Sequence, residues 1–116
     1  MLYPVGDGTA CSDPAAPPFD DYLVGGICDA KRCHAGDGCP NNKVHVDRDA
    51  VEAALRLNIY YRSNWARLCA SNPEAFAAYH LPSILFNGAL IAVLEGGLYS
   101  STVREIRRAL KAEAYA

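Results

Sequence analysis

The residues with the most chemistry to offer are four cysteines and two histidines, Cys11, Cys28, Cys33, Cys39, His34 and His45, gathered in the first 45 positions of a 116-residue chain. Thiolate sulfur and imidazole nitrogen are donors that zinc favours. Cys28, Cys33 and Cys39 form the thiolate set of such a site, with Cys11, His34 or His45 completing a tetrahedron. The four residues between Cys28 and Cys33 put this pair at the wide end of zinc-site spacings, and no Cys-x-x-Cys pair is present. Gly36, Gly38 and Pro40 allow turns tight enough to bring three sulfurs inward, so the loop 28–45 is a candidate metal-binding loop. The competing reading is that these are reduced thiols that behave as small hydrophobes and pack where they fall. An odd count of five cysteines argues against a framework made of disulfides alone.

Cys28-Asp29-Ala30-Lys31-Arg32-Cys33-His34 also resembles a widened form of the Cys-x-x-Cys-His attachment site of c-type cytochromes. The resemblance covers seven residues. It implies covalent haem on Cys28 and Cys33, His34 as an iron ligand, His45 or His80 as the sixth ligand, and an electron-carrier function.

Three further groups carry weaker signals. Arg104, Arg107, Arg108 and Lys111 share one face of a C-terminal helical segment, as phosphate-contacting residues would, although Glu105 and Glu113 dilute the charge. Tyr60, Tyr61 and Trp65 form an aromatic stripe near Arg62 and Arg67, suited to stacking on a partner, with core packing the expected fate of Tyr61 and Trp65. Leu85 and Phe86, in the most apolar stretch, are the other candidate partner contacts. His80 and Cys69 lack a recognisable orienting group, and there is no nucleophile elbow or phosphate loop. The sequence therefore predicts no enzyme.

The elements that must position these residues change character near Val46. Residues 1–46 are dense in turn formers, including Pro14, Pro40 and the pairs Asp7-Gly8 and Asp37-Gly38, and read as an irregular arm. Only Tyr22-Leu23-Val24 and Lys43-Val44-His45-Val46 suggest short strands. Residues 47–116 read as a helical domain. Apolar residues recur at helical spacing through Val51, Ala54, Leu55, Tyr61, Trp65, Leu68 and Cys69, giving a helix from Asp49 to Cys69 with Asp49 and Glu52 as its capping box and Cys69 in the core. Ser71 and Glu74 predict a second start, for a short helix from Pro73 to Tyr79 that is bent or ends before Pro82. A nearly all-round apolar helix from Pro82 to Glu95 should lie centrally or in an interface, with Gly96-Gly97 as its stop. The last helix should start near Ser101, with Thr102 and Glu105 at box spacing and Val103, Ile106 and Leu110 on one stripe. The expected fold is mainly α: a small three- or four-helix core over about 47–115, preceded by a long Cys/Gly/Pro-rich arm.

Composition narrows the function classes. Apolar residues at 51% and charged residues at 21% suit a globular chain, and a net charge of −2 gives no general attraction to nucleic acid or anionic membranes. The apolar stretch from Leu81 to Leu94 is interrupted by Pro82, Ser83, Asn87 and Gly88 and is too short to span a bilayer, which needs about 20 residues. The first residues carry neither a basic leader nor an apolar run, so the expected location is the cytoplasm or a particle assembled there. An arm this long costs chain entropy that a partner or cross-link must offset. The sequence thus points to a non-enzymatic structural or interaction subunit of a multi-subunit complex or virion, its arm stapled by zinc. The alternatives are a zinc-containing nucleic-acid-binding regulator and, third, the haem carrier.

Overall fold

In a computed structural model the chain is described at residues 2–16, 23–24, 27–28, 31, 33–35 and 38–114. Tyr22, Gly36 and Asp37, on which strand and turn expectations rest, lie outside the described residues, as do Asp29, Ala30 and Arg32 of the haem-like motif. The chain is mainly helical, as its periodicity requires.

Helix α1 spans Arg48–Ser71. Its cap is Asp47, whose extended backbone lets Oδ1 accept the Ala50 amide at 2.7 Å. The helix therefore begins before the Asp49–Glu52 box expected from the sequence, and Glu52 instead accepts a bond from Arg56 one turn later. The second box is also displaced. Asn72 closes α1 through its N–H to the Leu68 carbonyl and opens α2 (Pro73–Ala75) by accepting the Ala75 amide, while the Ser71 hydroxyl turns back to the Arg67 carbonyl.

Pro82 does not break the next helix. A π-helical turn over Phe76–His80 joins α2 to α3 (Leu81–Gly96), making one 24-residue helix from Pro73 to Gly96. The Leu81 amide reaches back to the Phe76 carbonyl. Pro82 has no N–H, and its ring would collide with the carbonyl four residues earlier. The wider turn immediately before it shifts those carbonyls, so the helix continues. Gly97 ends α3 in extended geometry, φ −116° and ψ −154°, not the left-handed stop the glycine pair suggested. Helix α4 (Ser100–Ala114) follows, and Glu105 pairs with Arg48 rather than forming a box with Thr102.

The core joins Val51, Ala54 and Leu55 of α1, Ile91 and Leu94 of α3, and Val103, Ile106 and Leu110 of α4. The α4 stripe is as the sequence predicts. Bidentate pairing of Arg56 with Glu113 and the Arg48–Glu105 pair tie α1 to α4, and Arg107 pairs with Glu95 of α3. Two expectations change and a third narrows. Helix α3, expected centrally or in an interface, is not central, since it buries only Asn87, Ile91 and Leu94. Trp65 is 54% exposed, and Cys69 is half-buried outside the core cluster.

The arm contains more regular pairing than turn-forming residues suggest. Strands β1 (Tyr3–Pro4), β2 (Ala10–Cys11) and β5 (Asn42–Lys43) form an antiparallel sheet in the order β1-β2-β5, and β3 (Leu23–Val24) pairs with β4 (Ile27–Cys28). The predicted strand at 43–46 thus starts at Asn42 and stops at Lys43. Val46 beyond it packs on the helical core, and its carbonyl accepts the Tyr99 hydroxyl at 3.0 Å.

Candidate functional site

The arm is held to the helices by a clasp built on Asp7. Gly8 sits against α1 at φ +94°, where an added Cβ would lie 2.8 Å from the Ala50 carbonyl oxygen and 2.9 Å from the Ala54 methyl. Only glycine fits that approach and that φ. On one side of it, Asp7 Oδ1 accepts the Thr9 amide at 2.8 Å and the Thr9 hydroxyl; its Oδ2 lies 2.6 Å from His34 Nε2. Asn42 of β5 donates to the Thr9 hydroxyl at 2.8 Å. The His34 ring then stacks on Phe86 of α3, with centroids 4.0 Å apart and planes 11° from parallel. Burial pushes the Asp7 carboxyl up, but hydrogen bonds from His34 and Thr9 outweigh it and hold the group below the ordinary carboxylate value.

Backbone pairing brings the segments that carry the four arm cysteines into one part of the arm. The Cys39 amide donates to the Cys33 carbonyl, the Asn42 amide to the Cys39 carbonyl, and Asn42 pairs across the sheet with Cys11. Cys28 is anchored to the Pro14 carbonyl three residues after Cys11. Burial, followed by the negative charge of Asp7 and of the other three cysteines in their thiolate form, pushes the Cys33 thiol up to about 12. Such a thiol is protonated and a poor nucleophile at neutral pH. Among the described residues no three Cys, His, Asp or Glu side chains stand close enough to hold a metal ion. Of the six expected ligands, Cys11, Cys28, Cys33 and Cys39 share this neighbourhood. His34 has its Nε2 engaged by Asp7, and His45 lines a different hollow with Leu2, Pro4 and Gly8.

The candidate partner contacts fall on different surfaces. Phe86 lies beneath His34, and Tyr60 lines a hollow with Gly6 and Arg56. Leu85 stands outward from α3 at 65% exposure, as does Val93 at 72%. Trp65 lines a groove of about 370 Å³ between α1 and the π turn, with Tyr61, Arg62, Phe76, Leu81 and Ile84. Its floor includes Asn58 and the buried Asn87. Asn87 donates to the Ala54 carbonyl at 3.0 Å and accepts from Asn58 at 3.1 Å. Burial raises the Tyr61 phenol above its ordinary value, and its hydroxyl lies 3.4 Å from His80 Nδ1. On α4, Arg104, Arg108 and Lys111 are exposed, whereas Arg107 is engaged by Glu95.

Two features escaped the sequence reading. The Asp7–His34–Phe86 clasp joins residues far apart in the chain and has no motif beyond the turn signal of Asp7-Gly8-Thr9. The groove depends on the π turn, for which Pro82 was the available signal, read only as a bend or an end. No known protein family, curated protein or solved structure matches this chain.

Proposed function

We propose that the protein is a non-enzymatic interaction subunit of a larger assembly, a multi-subunit complex or virion, whose neighbours cover the apolar helix from Pro73 to Gly96. The observation that carries this reading is the helix itself: 24 residues with mean hydropathy 1.5 in its most apolar window, of which only 17% is buried by the rest of the chain. Leu85 and Val93 head its exposed face. Contiguous apolar surface left open in this way marks an interaction site, since covering it returns about 25 cal/mol per Å².

The same length and hydropathy would suit a bilayer span. Insertion would, however, withdraw Ile91 and Leu94 from the core and break both hydrogen bonds of Asn87. Protein neighbours require neither change, which favours them. Sedimentation velocity on the purified chain tests the reading. Concentration-dependent association is expected, and a monomer with a protease-resistant arm would refute it.

Zinc as a second staple of the arm belongs to the same proposal. Its support is the backbone pairing that brings the segments of Cys11, Cys28, Cys33 and Cys39 together, and ligation would require those side chains to close further. Intact masses under native and denaturing conditions decide this point. A zinc-sized excess in the native spectrum alone supports the staple, an excess that survives denaturation indicates covalent haem, and a bare chain in both removes the metal.

A further inference from the structure

The geometry points to the groove between α1 and the π turn as the docking site for one amphipathic segment of a partner protein, with an apolar or aromatic anchor beside a carboxylate. This rests on the interaction reading and names where and what the subunit binds. The walls are Tyr61, Trp65, Phe76, Leu81 and Ile84, with Arg62 as the cation of the lining.

Three observations select this occupant. The first is charge. Among the described residues Arg62, like Arg67, Arg104 and Arg108, forms no ion pair, and of these four it alone lines the groove. It stands exposed beside apolar walls, where an incoming carboxylate would meet an uncompensated cation. The second is openness. Trp65 and Leu81 remain 54% and 40% exposed. A small ligand lying between them would stay wet on one side, whereas small-molecule sites usually bury about 70–90% of their ligand. A helix or extended segment that continues beyond the groove has its own body to cover that side. Trp and Arg together are also the residue types that dominate protein interfaces.

The third observation is the floor. Asn58 and Asn87 bond to each other, and Asn87 also bonds to the Ala54 carbonyl, so an apolar anchor can enter without leaving this buried amide unpaired. The π turn gives the wall its shape before any partner arrives. Local π turns of this kind often occur at functional sites.

Trp65 is the chain's sole tryptophan, so its fluorescence reports groove occupancy in the intact protein. The probe is a phage-displayed library of random peptides about 12 residues long, enough for three helical turns, panned on the purified full chain. Enriched peptides should pair Leu or aromatic residues at three- or four-residue spacing with Asp or Glu, and should shift Trp65 emission to the blue. Arg62→Glu, at an exposed position, should weaken them roughly tenfold or more, and replacing the peptide carboxylate with Lys should restore binding to that variant. Peptides without the apolar–acidic pattern, or binding that leaves Trp65 or the Arg62→Glu affinity unchanged, would overturn the proposal. So would a Trp65 shift obtained only with dansylundecanoic acid, which makes this a small-amphiphile site, or only with phosphatidylglycerol vesicles, which makes it a lipid contact. A chain that still self-associates while the groove stays empty loses this inference alone, whereas a monomer with an empty groove loses the interaction reading as well.

Discussion

Replacing Gly8 with alanine should release the arm from the helices, and Gly6 provides an internal control. Both glycines have positive φ, +102° at Gly6 and +94° at Gly8. An L-residue in that region costs about 1–2 kcal/mol at either position. The difference lies in what the new methyl meets. At Gly6 nothing lies within 4 Å, whereas at Gly8 the Ala50 carbonyl oxygen and the Ala54 methyl would lie at 2.8 and 2.9 Å. Carbon contacts are normally about 3.5–4.0 Å, and neither neighbour can rotate away. Overpacking of this kind adds about 1–3 kcal/mol, against which burying one methyl returns at most about 0.8 kcal/mol. Gly8→Ala should therefore cost about 0.2–2 kcal/mol more than Gly6→Ala, as a net effect of overpacking and burial. The loss should appear as arm undocking rather than helix unfolding. Hydrogen exchange should show faster exchange at the Thr9 amide, which Asp7 holds, and unchanged protection in α1 and α4. Equal effects of the two substitutions, or loss of protection spread evenly through the helices, would refute the packing of the arm on α1.

Three further outcomes follow from the same contacts. Asn87→Ala should lower stability by about 1–3 kcal/mol in chemical denaturation, and Asn87→Leu by less, because both lose the amide bonds but leucine fills the volume that alanine leaves empty. Asp7 has a folded-state pKa below its ordinary value, so its contribution is present above about pH 4 and disappears as the carboxyl protonates on further acidification. Arm proteolysis by an acid-active protease should accelerate as the pH falls below about 4 in the native protein, and Asp7→Asn should flatten that dependence. Ile106→Ala, in the core, should cost about 2–5 kcal/mol of unfolding free energy, whereas Leu85→Ala should stay within about 0.5 kcal/mol of the native chain.

The helical plan was legible where burial follows a 3.6-residue period. Val103, Ile106 and Leu110 sit in one stripe of sequence and in one core, so α4 could be read directly. The start of α1 was less determined, because Asp47 and Asp49 are both good caps. The extended backbone at Asp47, following a Val46 that packs on the core, decides between them. Trp65 follows Tyr61 by four residues and reads as part of the same apolar face, yet it lines an open groove beside the π turn. Pro82 concealed that turn, because a proline within a helix argues locally for a break and the compensating shift precedes it. The clasp was illegible for a different reason. Asp7, His34 and Phe86 are each ordinary in sequence and meet only after the arm folds back across α1 and α3. The set of arm cysteines was visible as composition, but bringing their segments together depends on the β2–β5 pairing, which two-residue strands do not announce.

The most direct test of the interaction role is sedimentation velocity on the native chain and on a Leu85→Glu/Val93→Glu double variant, across a range of concentrations. Both side chains are exposed, at 65% and 72%, so the variant should retain the native Tm. The account predicts a native chain whose sedimentation coefficient rises with concentration and a variant that stays monomeric. A native chain that remains monomeric at every concentration, indistinguishable from the variant, would contradict it.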